Sequence, residues 1–207
     1  MTNSAADERP LDLLEFARLV VDAFEAANVP YLLGGALAVA AWAEARSTQD
    51  VDFVIHLAVR HVPALSQELA RREILIPTDL MLDILSETRG DVALVGYHTV
   101  WGHKAELFPL RPGDELRATA LSRRRLVDLG SPLGEVYVHS PEDLILYKLR
   151  YYSLSQQPKH VRDITAVLLA LPADLDSSYL AAWTRRLGLD ALWRFILSQA
   201  GAAPPTP

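Results

Sequence analysis

Residues 31–56 read YLLGGALAVAAWAEARSTQDVDFVIH, and the reading of this stretch decides how the rest of the chain is organised. Tyr31-Leu32-Leu33 is a short apolar strand, Gly34 and Gly35 follow, and an alanine-rich helix is predicted from Ala36 to Ala45. The polar turn Arg46-Ser47-Thr48-Gln49 leads into a second strand, Asp50 to His56. Asp50 and Asp52 alternate with Val51 and Phe53, so both carboxylates project from one strand face, about 6–7 Å apart along the backbone. Two acids on one face of an otherwise apolar strand repel each other and bury poorly. A divalent cation resolves that conflict, and Mg²⁺ prefers hard oxygen ligands. Glycines opening a helix let an anion approach free N–H groups at the positive end of the dipole. An anion cradle beside a carboxylate pair points to metal–polyphosphate chemistry.

If Asp50, at the start of its strand, is to meet Gly34, at the end of the previous one, the two strands run antiparallel and the helix between them returns over one sheet face. Upstream, Leu13, Leu14, Ala17, Val20, Val21 and Phe24 give Leu11 to Ala27 the spacing of an amphipathic helix, ended by Asn28-Val29-Pro30. Downstream, Pro63 to Arg72 is predicted helical with Leu65, Leu69 and Ala70 inward. Thr78 to Glu87 is read as a short helix capped by Thr78. Arg89-Gly90-Asp91 is a turn signal, and Val92–Val95 and His98–Trp101 are strand-like. Lys104 to Leu110 is a further strand, with Lys104, Glu106 and Phe108 on one face and Ala105 and Leu107 on the other. Asp114 to Arg125 reads as a helix, and Leu126–Leu129 with Glu135–His139 as a hairpin.

Ser140 is a favourable N-cap, with Pro141 at the first helical position and Glu142 and Asp143 in the first turn of a helix running to Tyr152. Lys148 lies on the side of Leu144, which is odd for a purely solvated lysine, and by itself reads as an ordinary surface or snorkelling lysine. Lys159 to Leu171 is a helix carrying Arg162 and Asp163, and Asp163 reads either as a partner that positions Lys148 or a basic neighbour or, more simply, as a helix-surface aspartate. Asp176–Leu187 and Leu189–Ala200 close the chain, with Trp183 and Trp193 assigned to the core.

A Gly-Gly at a strand-to-helix turn, followed by Arg46-x-Thr48-x-Asp50-Val51-Asp52 on the next strand, resembles the nucleotidyltransferase superfamily with the polymerase-beta-type fold. Gly35 falls 15 residues before Asp50 with a helix between, a spacing more specific than a bare Asp-x-Asp. Within the superfamily the chain is most similar to the small bacterial enzymes grouped with AbiEii toxins and the minimal nucleotidyltransferases. In that fold a third carboxylate sits on a later strand in a Lys-x-Asp-Leu-like setting; Glu106 stands at the matching position, where the family more often carries aspartate. Ser140-Pro141-Glu142-Asp143-Leu144, Lys148-Leu149 and Arg162-Asp163-Ile164 also match. The strongest matches are at 33–54, 104–108 and 140–164.

The resemblance implies an α/β (α+β) fold: a mixed sheet with flanking helices as a catalytic core over 11–139, and a helical region over 140–200 closing one side of the cleft. It implies transfer of a nucleoside monophosphate from an NTP, such as ATP, to an acceptor hydroxyl on tRNA, a protein or a small molecule, with release of pyrophosphate. Asp50, Asp52 and Glu106 would hold Mg²⁺, Gly34 and Gly35 would admit the triphosphate, and Arg46 and Lys148 would neutralise its charge. More simply, Arg46 would pair with an acid and brace the turn. A place in a toxin–antitoxin system is consistent with the same relatives. The alternative is an antitoxin or regulatory module that keeps the fold and acts by binding another protein.

The 207 residues suffice for a sizeable core, and half of them are hydrophobic, which excludes a disordered chain. The absence of cysteine excludes a disulfide scaffold and thiolate metal sites and fits a reducing compartment. The polar, acidic start is no signal peptide, and the longest apolar run, residues 31–43, is too short to span a bilayer, so a cytoplasmic protein is expected. A net charge of −6 argues against broad nucleic-acid binding. The small clusters Arg123-Arg124-Arg125, Lys148 with Arg150, Lys159-His160 with Arg162, and Arg185-Arg186 are read as solvated helix faces. The six histidines form no zinc-binding pattern, and no nucleophile elbow, P-loop or Rossmann fingerprint occurs.

Overall fold

A computed structural model describes residues 9–44, 46–87 and 91–201. The readings that fall on residues 1–8, Ala45, Arg89-Gly90 and 202–207 lie outside the described residues. In chain order the elements are α1 (Leu13–Ala26), β1 (Tyr31–Leu33), α2 (Gly35–Ala40), β2 (Asp50–Ile55), α3 (Val62–Ala70), β3 (Ile74–Leu75), α4 (Thr78–Ser86), β4 (Leu94–His98), β5 (Lys104–Pro109), α5 (Glu115–Arg123), β6 (Arg125–Asp128), β7 (Glu135–Val138), α6 (Pro141–Ser155), α7 (Pro158–Ala170), α8 (Ser177–Arg186) and α9 (Asp190–Ala200). Among the described residues no helix is long and apolar enough to cross a membrane.

The strands form one mixed seven-stranded sheet in the order β3-β4-β5-β2-β1-β7-β6. As the central stretch predicts, β1 and β2 are antiparallel, with Leu33 opposite Phe53. The pairing that matters most for the site is the parallel one between β2 and β5, which sets Asp50 beside Lys104 and Asp52 beside Glu106. Strand alternation then divides the apolar residues between two cores. Tyr31, Leu33, Val51, Phe53, Ile55, Ala105 and Leu107 face a core completed by α1, α3 and Met81 of α4. Leu32 and Val54 face the other way, into a core built with α2 and α5 to α9. Asp50, Asp52 and Glu106 lie on this second face, where the helical layer leaves the sheet end open.

Local chemistry explains most boundaries. Asp12 caps α1: its carboxylate accepts the Glu15 N–H at 2.8 Å while the Glu15 carboxylate accepts the Asp12 N–H at 2.9 Å, a reciprocal box. Ser140 caps α6 through the Asp143 N–H, with Pro141 in the first turn as predicted. Residues 141–149 of α6 are buried on every side, so the helix is a central post rather than an amphipathic surface element.

Several expectations are corrected. Helix α2 ends at Ala40 instead of reaching Ala45, because the chain turns where the Trp42 indole N–H donates to the His139 carbonyl at 2.8 Å. The two strand-like segments at 92–95 and 98–101 are one strand, β4, followed by a turn into β5; the antiparallel register of β4 on β5 requires that reversal. Thr78 is the first residue of α4 rather than its cap, and its hydroxyl meets that of Ser66 at 2.9 Å. Ala70 is exposed, and Val62 takes the inward place on α3. Helix α5 stops at Arg123, and Arg125 already belongs to β6. Trp193 is buried as expected, whereas Trp183 packs at the margin of the core beneath the Arg186 guanidinium.

Candidate active site

The site begins with the backbone of β1 and β2. The Gly34 N–H donates to the Asp52 carbonyl at 2.8 Å, extending the antiparallel ladder by one residue. That amide is therefore spent on the sheet, and the N–H groups that open α2 begin at Gly35. Gly35 adopts a left-handed φ of 61°, and a Cβ there would sit 1.8 Å from Asp52 Oδ2. The second glycine is thus required for a reason the sequence does not show: it lets the Asp52 carboxylate lie flat against the start of α2. Thr48 steadies the approach to β2, its hydroxyl donating to the Asp50 carbonyl at 3.2 Å.

The register of β2 on β5 completes a cluster of three carboxylates, Asp50, Asp52 and Glu106, on one sheet face. Burial raises the Asp52 carboxyl, the Glu106 charge raises it further, and its pKa reaches about 6 although Lys148 pulls the other way. Lys104 stands at the fourth corner. Its Nζ lies 2.9 Å from Glu106 Oε1 and 3.1 Å from Asp50 Oδ2.

Opposite the carboxylates, α6 and α7 carry a buried ionic cluster. Asp163 accepts from Lys148 Nζ at 2.7 Å, from Arg46 Nε at 2.8 Å and from Arg46 Nη2 at 3.2 Å. Burial would raise the Asp163 carboxyl, but the bonds from Arg46 and Lys148 outweigh it and hold its pKa below the usual carboxylate range. The expected surface aspartate is instead almost fully buried and ties the turn before β2 to α7. Lys148 is buried as well, so the snorkelling alternative is excluded; burial lowers its pKa and Asp163 opposes that shift. Arg46 does pair with an acid, and the acid is Asp163 rather than Asp50 or Asp52. Of the other basic clusters, Arg123 bonds Asp143 and Glu142 and Arg124 lies over the Tyr137 ring, whereas Arg125, Lys159, Arg162, Arg185 and Arg186 are exposed as expected.

Between these two charged groups lies a cleft of about 380 Å³, lined by Gly34, Gly35, Arg46 and the three carboxylates on one side. The other side is formed by Phe108, His139, Tyr147, Lys148, Tyr151, Lys159 and His160. Rings follow one another along that wall: His139 to Tyr147 at 4.7 Å, Tyr147 to Tyr151 at 6.3 Å and Tyr151 to His160 at 6.0 Å between centroids. Burial, then Lys148, lowers both imidazoles, His139 to about 3 and His160 to about 4, so both are neutral at physiological pH. Among the described residues Tyr147 Oη, His139 Nδ1 and His160 Nδ1 are buried polar atoms without a partner. Sequence reasoning missed this wall. Its only signal was the spacing of Tyr147 and Tyr151 on one helix face, which also fits ordinary core packing.

The carboxylate face has the donor chemistry of a Mg²⁺ site: hard oxygens only, from adjacent strands, with one carboxylate whose pKa is raised by burial and then by its neighbours' charge. Gly35 leaves the Asp52 oxygens unobstructed. Among the described residues, however, no three acids or histidines are already spaced as a closed metal shell. The residues suit the ion in kind, and the ammonium of Lys104 lies between two of them.

Comparison by sequence finds no matching family model and no matching curated protein. Comparison by structure does find relatives. The solution structure of the antibiotic-resistance factor ANT(2'')-Ia matches with a TM-score of 0.59 at 16% identity, over 88% of this chain and 95% of that one. The crystal structure of ANT(2")-Ia with adenylyl-2"-tobramycin matches with a TM-score of 0.55 at 15% identity, over 84% and 98%. An antigenic nucleotidyltransferase-like protein from Paracoccidioides brasiliensis matches with a TM-score of 0.54 at 22% identity, over 93% and 94%. Identity at this level speaks to architecture, and the architecture this chain adopts is that of the nucleotidyltransferases.

Proposed function

We propose that the chain is a Mg²⁺-dependent nucleotidyltransferase that moves a nucleoside monophosphate from an NTP to an acceptor hydroxyl. The observation that carries this reading is the carboxylate cluster of Asp50, Asp52 and Glu106, set by strand register at the mouth of a nucleotide-sized cleft. In the reaction the acceptor oxygen attacks the α-phosphorus, the bond to the bridging α–β oxygen breaks, and pyrophosphate leaves with that oxygen. Mg²⁺ held by Asp50, Asp52 and Glu106 would offset the charge on the attacking and leaving oxygens.

The chain's own residues supply the remainder. Glu106, beside Asp52 on the neighbouring strand, takes the acceptor proton. Gly35 keeps side chains out of the space where the phosphates approach Asp52. Arg46 and Lys148 together carry two positive charges against the single negative charge of Asp163, and Lys159 adds another at the cleft wall. This surplus faces the triphosphate, and its fixed geometry limits reorganisation during transfer. The rings of Tyr147 and Tyr151 supply an apolar face for the nucleobase.

The neighbour bound to adenylyl-2"-tobramycin has an adenylyl group on a small molecule. For this chain the acceptor is a hydroxyl of a small molecule, a tRNA or a protein, and the first of these has that precedent within the fold. Isothermal titration of the four NTPs with Mg²⁺, on wild type and on Asp50→Ala/Asp52→Ala, tests the reading. Metal-dependent binding that the double variant loses supports it, and the nucleotide so identified enters a screen for labelled acceptor. Absence of binding by folded wild type would instead favour the protein-binding alternative. If the chain is the toxin of a toxin–antitoxin pair, expression of wild type arrests growth and expression of the double variant does not.

A further inference from the structure

The parallel register of β2 and β5 makes two rungs on one sheet face, Asp50 with Lys104 and Asp52 with Glu106. Three of the four corners are acids, and the fourth is the cation that bridges two of them. Lys104 Nζ is 3.1 Å from Asp50 Oδ2 on the neighbouring strand and 2.9 Å from Glu106 Oε1 on its own. The third acid, Asp52, is not bonded to the lysine and lies against Gly35. Among the described residues the acids are not spaced as a metal shell, and an ammonium lies between oxygens that such a shell would use.

We propose that Lys104 is a tethered counter-ion that occupies the carboxylate face of the metal-free protein and must swing away when a divalent cation binds. The inference rests on the nucleotidyltransferase reading and adds to it an order of events. The lysine side chain is 27% exposed, and its stem can carry the ammonium into solvent without disturbing either core. The bare ion must displace a charge already paired with two carboxylates, so it binds weakly alone. An ion arriving with a nucleoside triphosphate brings anionic oxygens to which the released ammonium can turn. Lys104 thereby makes metal entry depend on the nucleotide, acting as a competitor for the carboxylates rather than as a catalytic residue.

The test is Mn²⁺ binding to the full-length, nucleotide-free protein, read from the electron paramagnetic resonance signal of free Mn²⁺. Lys104→Gln and Lys104→Met remove the charge, and Lys104→Arg keeps it. Both neutral variants should bind Mn²⁺ about tenfold more tightly than wild type, the scale of losing one partly exposed competing cation. Lys104→Arg should bind as wild type does, and Asp50→Ala/Asp52→Ala in the Lys104→Gln background should abolish the gain. Equal affinity in wild type and both neutral variants overturns the proposal while leaving the transferase reading intact. Weaker binding by the neutral variants also overturns it, since the lysine would then be orienting the ligands. Absence of carboxylate-dependent binding in every variant overturns this proposal, and the NTP titration with Mg²⁺ decides the metal-dependent reading separately.

Discussion

At Gly35 a single missing atom decides the geometry of the site. A Cβ would overlap the Asp52 carboxylate, and the left-handed φ disfavours any side chain. Gly35→Ala should therefore destabilise the protein by about 1–2 kcal/mol from backbone conformation alone and abolish nucleotide binding by displacing Asp52. Gly34 meets only ordinary van der Waals neighbours at its Cβ position. Gly34→Ala should leave the melting temperature nearly unchanged, and thermal denaturation of the two variants distinguishes these outcomes. Asp52 makes a second prediction. Its folded pKa of about 6 lies above the ordinary aspartate value of 3.8, so between these values the native state holds more protons than the unfolded one. Stability contributed by this group is thus full below the unfolded pKa and is lost as pH rises through 6. Asp52→Asn should stabilise the metal-free protein by on the order of 2 kcal/mol at pH 7.5, with the gain vanishing towards pH 4. Urea denaturation at the two pH values measures it; a gain independent of pH would contradict the assigned cause.

At the scale of elements, α6 and α7 are joined by the buried pair of Lys148 and Asp163, and Arg46 brings in the turn before β2. This arrangement couples the helical layer to the end of the central strands that carry the carboxylates. Removing the anion leaves a buried ammonium with no partner, a change that costs about 3–5 kcal/mol in buried pairs. Asp163→Asn should fall at the lower end of that range, because the amide oxygen still accepts one hydrogen bond, and it should weaken nucleotide binding by releasing Arg46. Replacing both members, as Lys148→Met with Asp163→Leu, should recover much of the stability but none of the binding. Denaturant midpoints and nucleotide titration on the same variants separate the two effects.

Across the whole molecule, the cleft lies between a rigid sheet face and the helices that cover the rest of that face. A nucleotide bound there bridges α2, β2 and α6, so binding favours the folded state. At a nucleotide concentration of about 100 times Kd, in excess Mg²⁺, the stabilisation should be about 2.7 kcal/mol. For a chain of this size that corresponds to a rise of roughly 5–10 °C in melting temperature. Asp50→Ala/Asp52→Ala should show none of it. A rise retained by the double variant would place the nucleotide elsewhere on the surface.

The strand–glycine–helix–strand unit and the common face of Asp50 and Asp52 follow from the residue order, because alternation along a strand is a property of local backbone geometry. That order also determined the start of α6, since Ser140 and Pro141 act within the first turn, but not its end, which lies at Ser155 rather than Tyr152. Tertiary structure alone decided what surrounds the acids. Glu106 meets Asp52, and Lys104 meets Asp50, only through the parallel register of two strands separated by more than 40 residues of chain. Asp163 looked like a surface aspartate because helical spacing cannot show that Arg46, 117 residues away, would fold over it. Local rules specify which face a side chain takes; which charges share that face depends on long-range packing, and there the chemistry of this site is set.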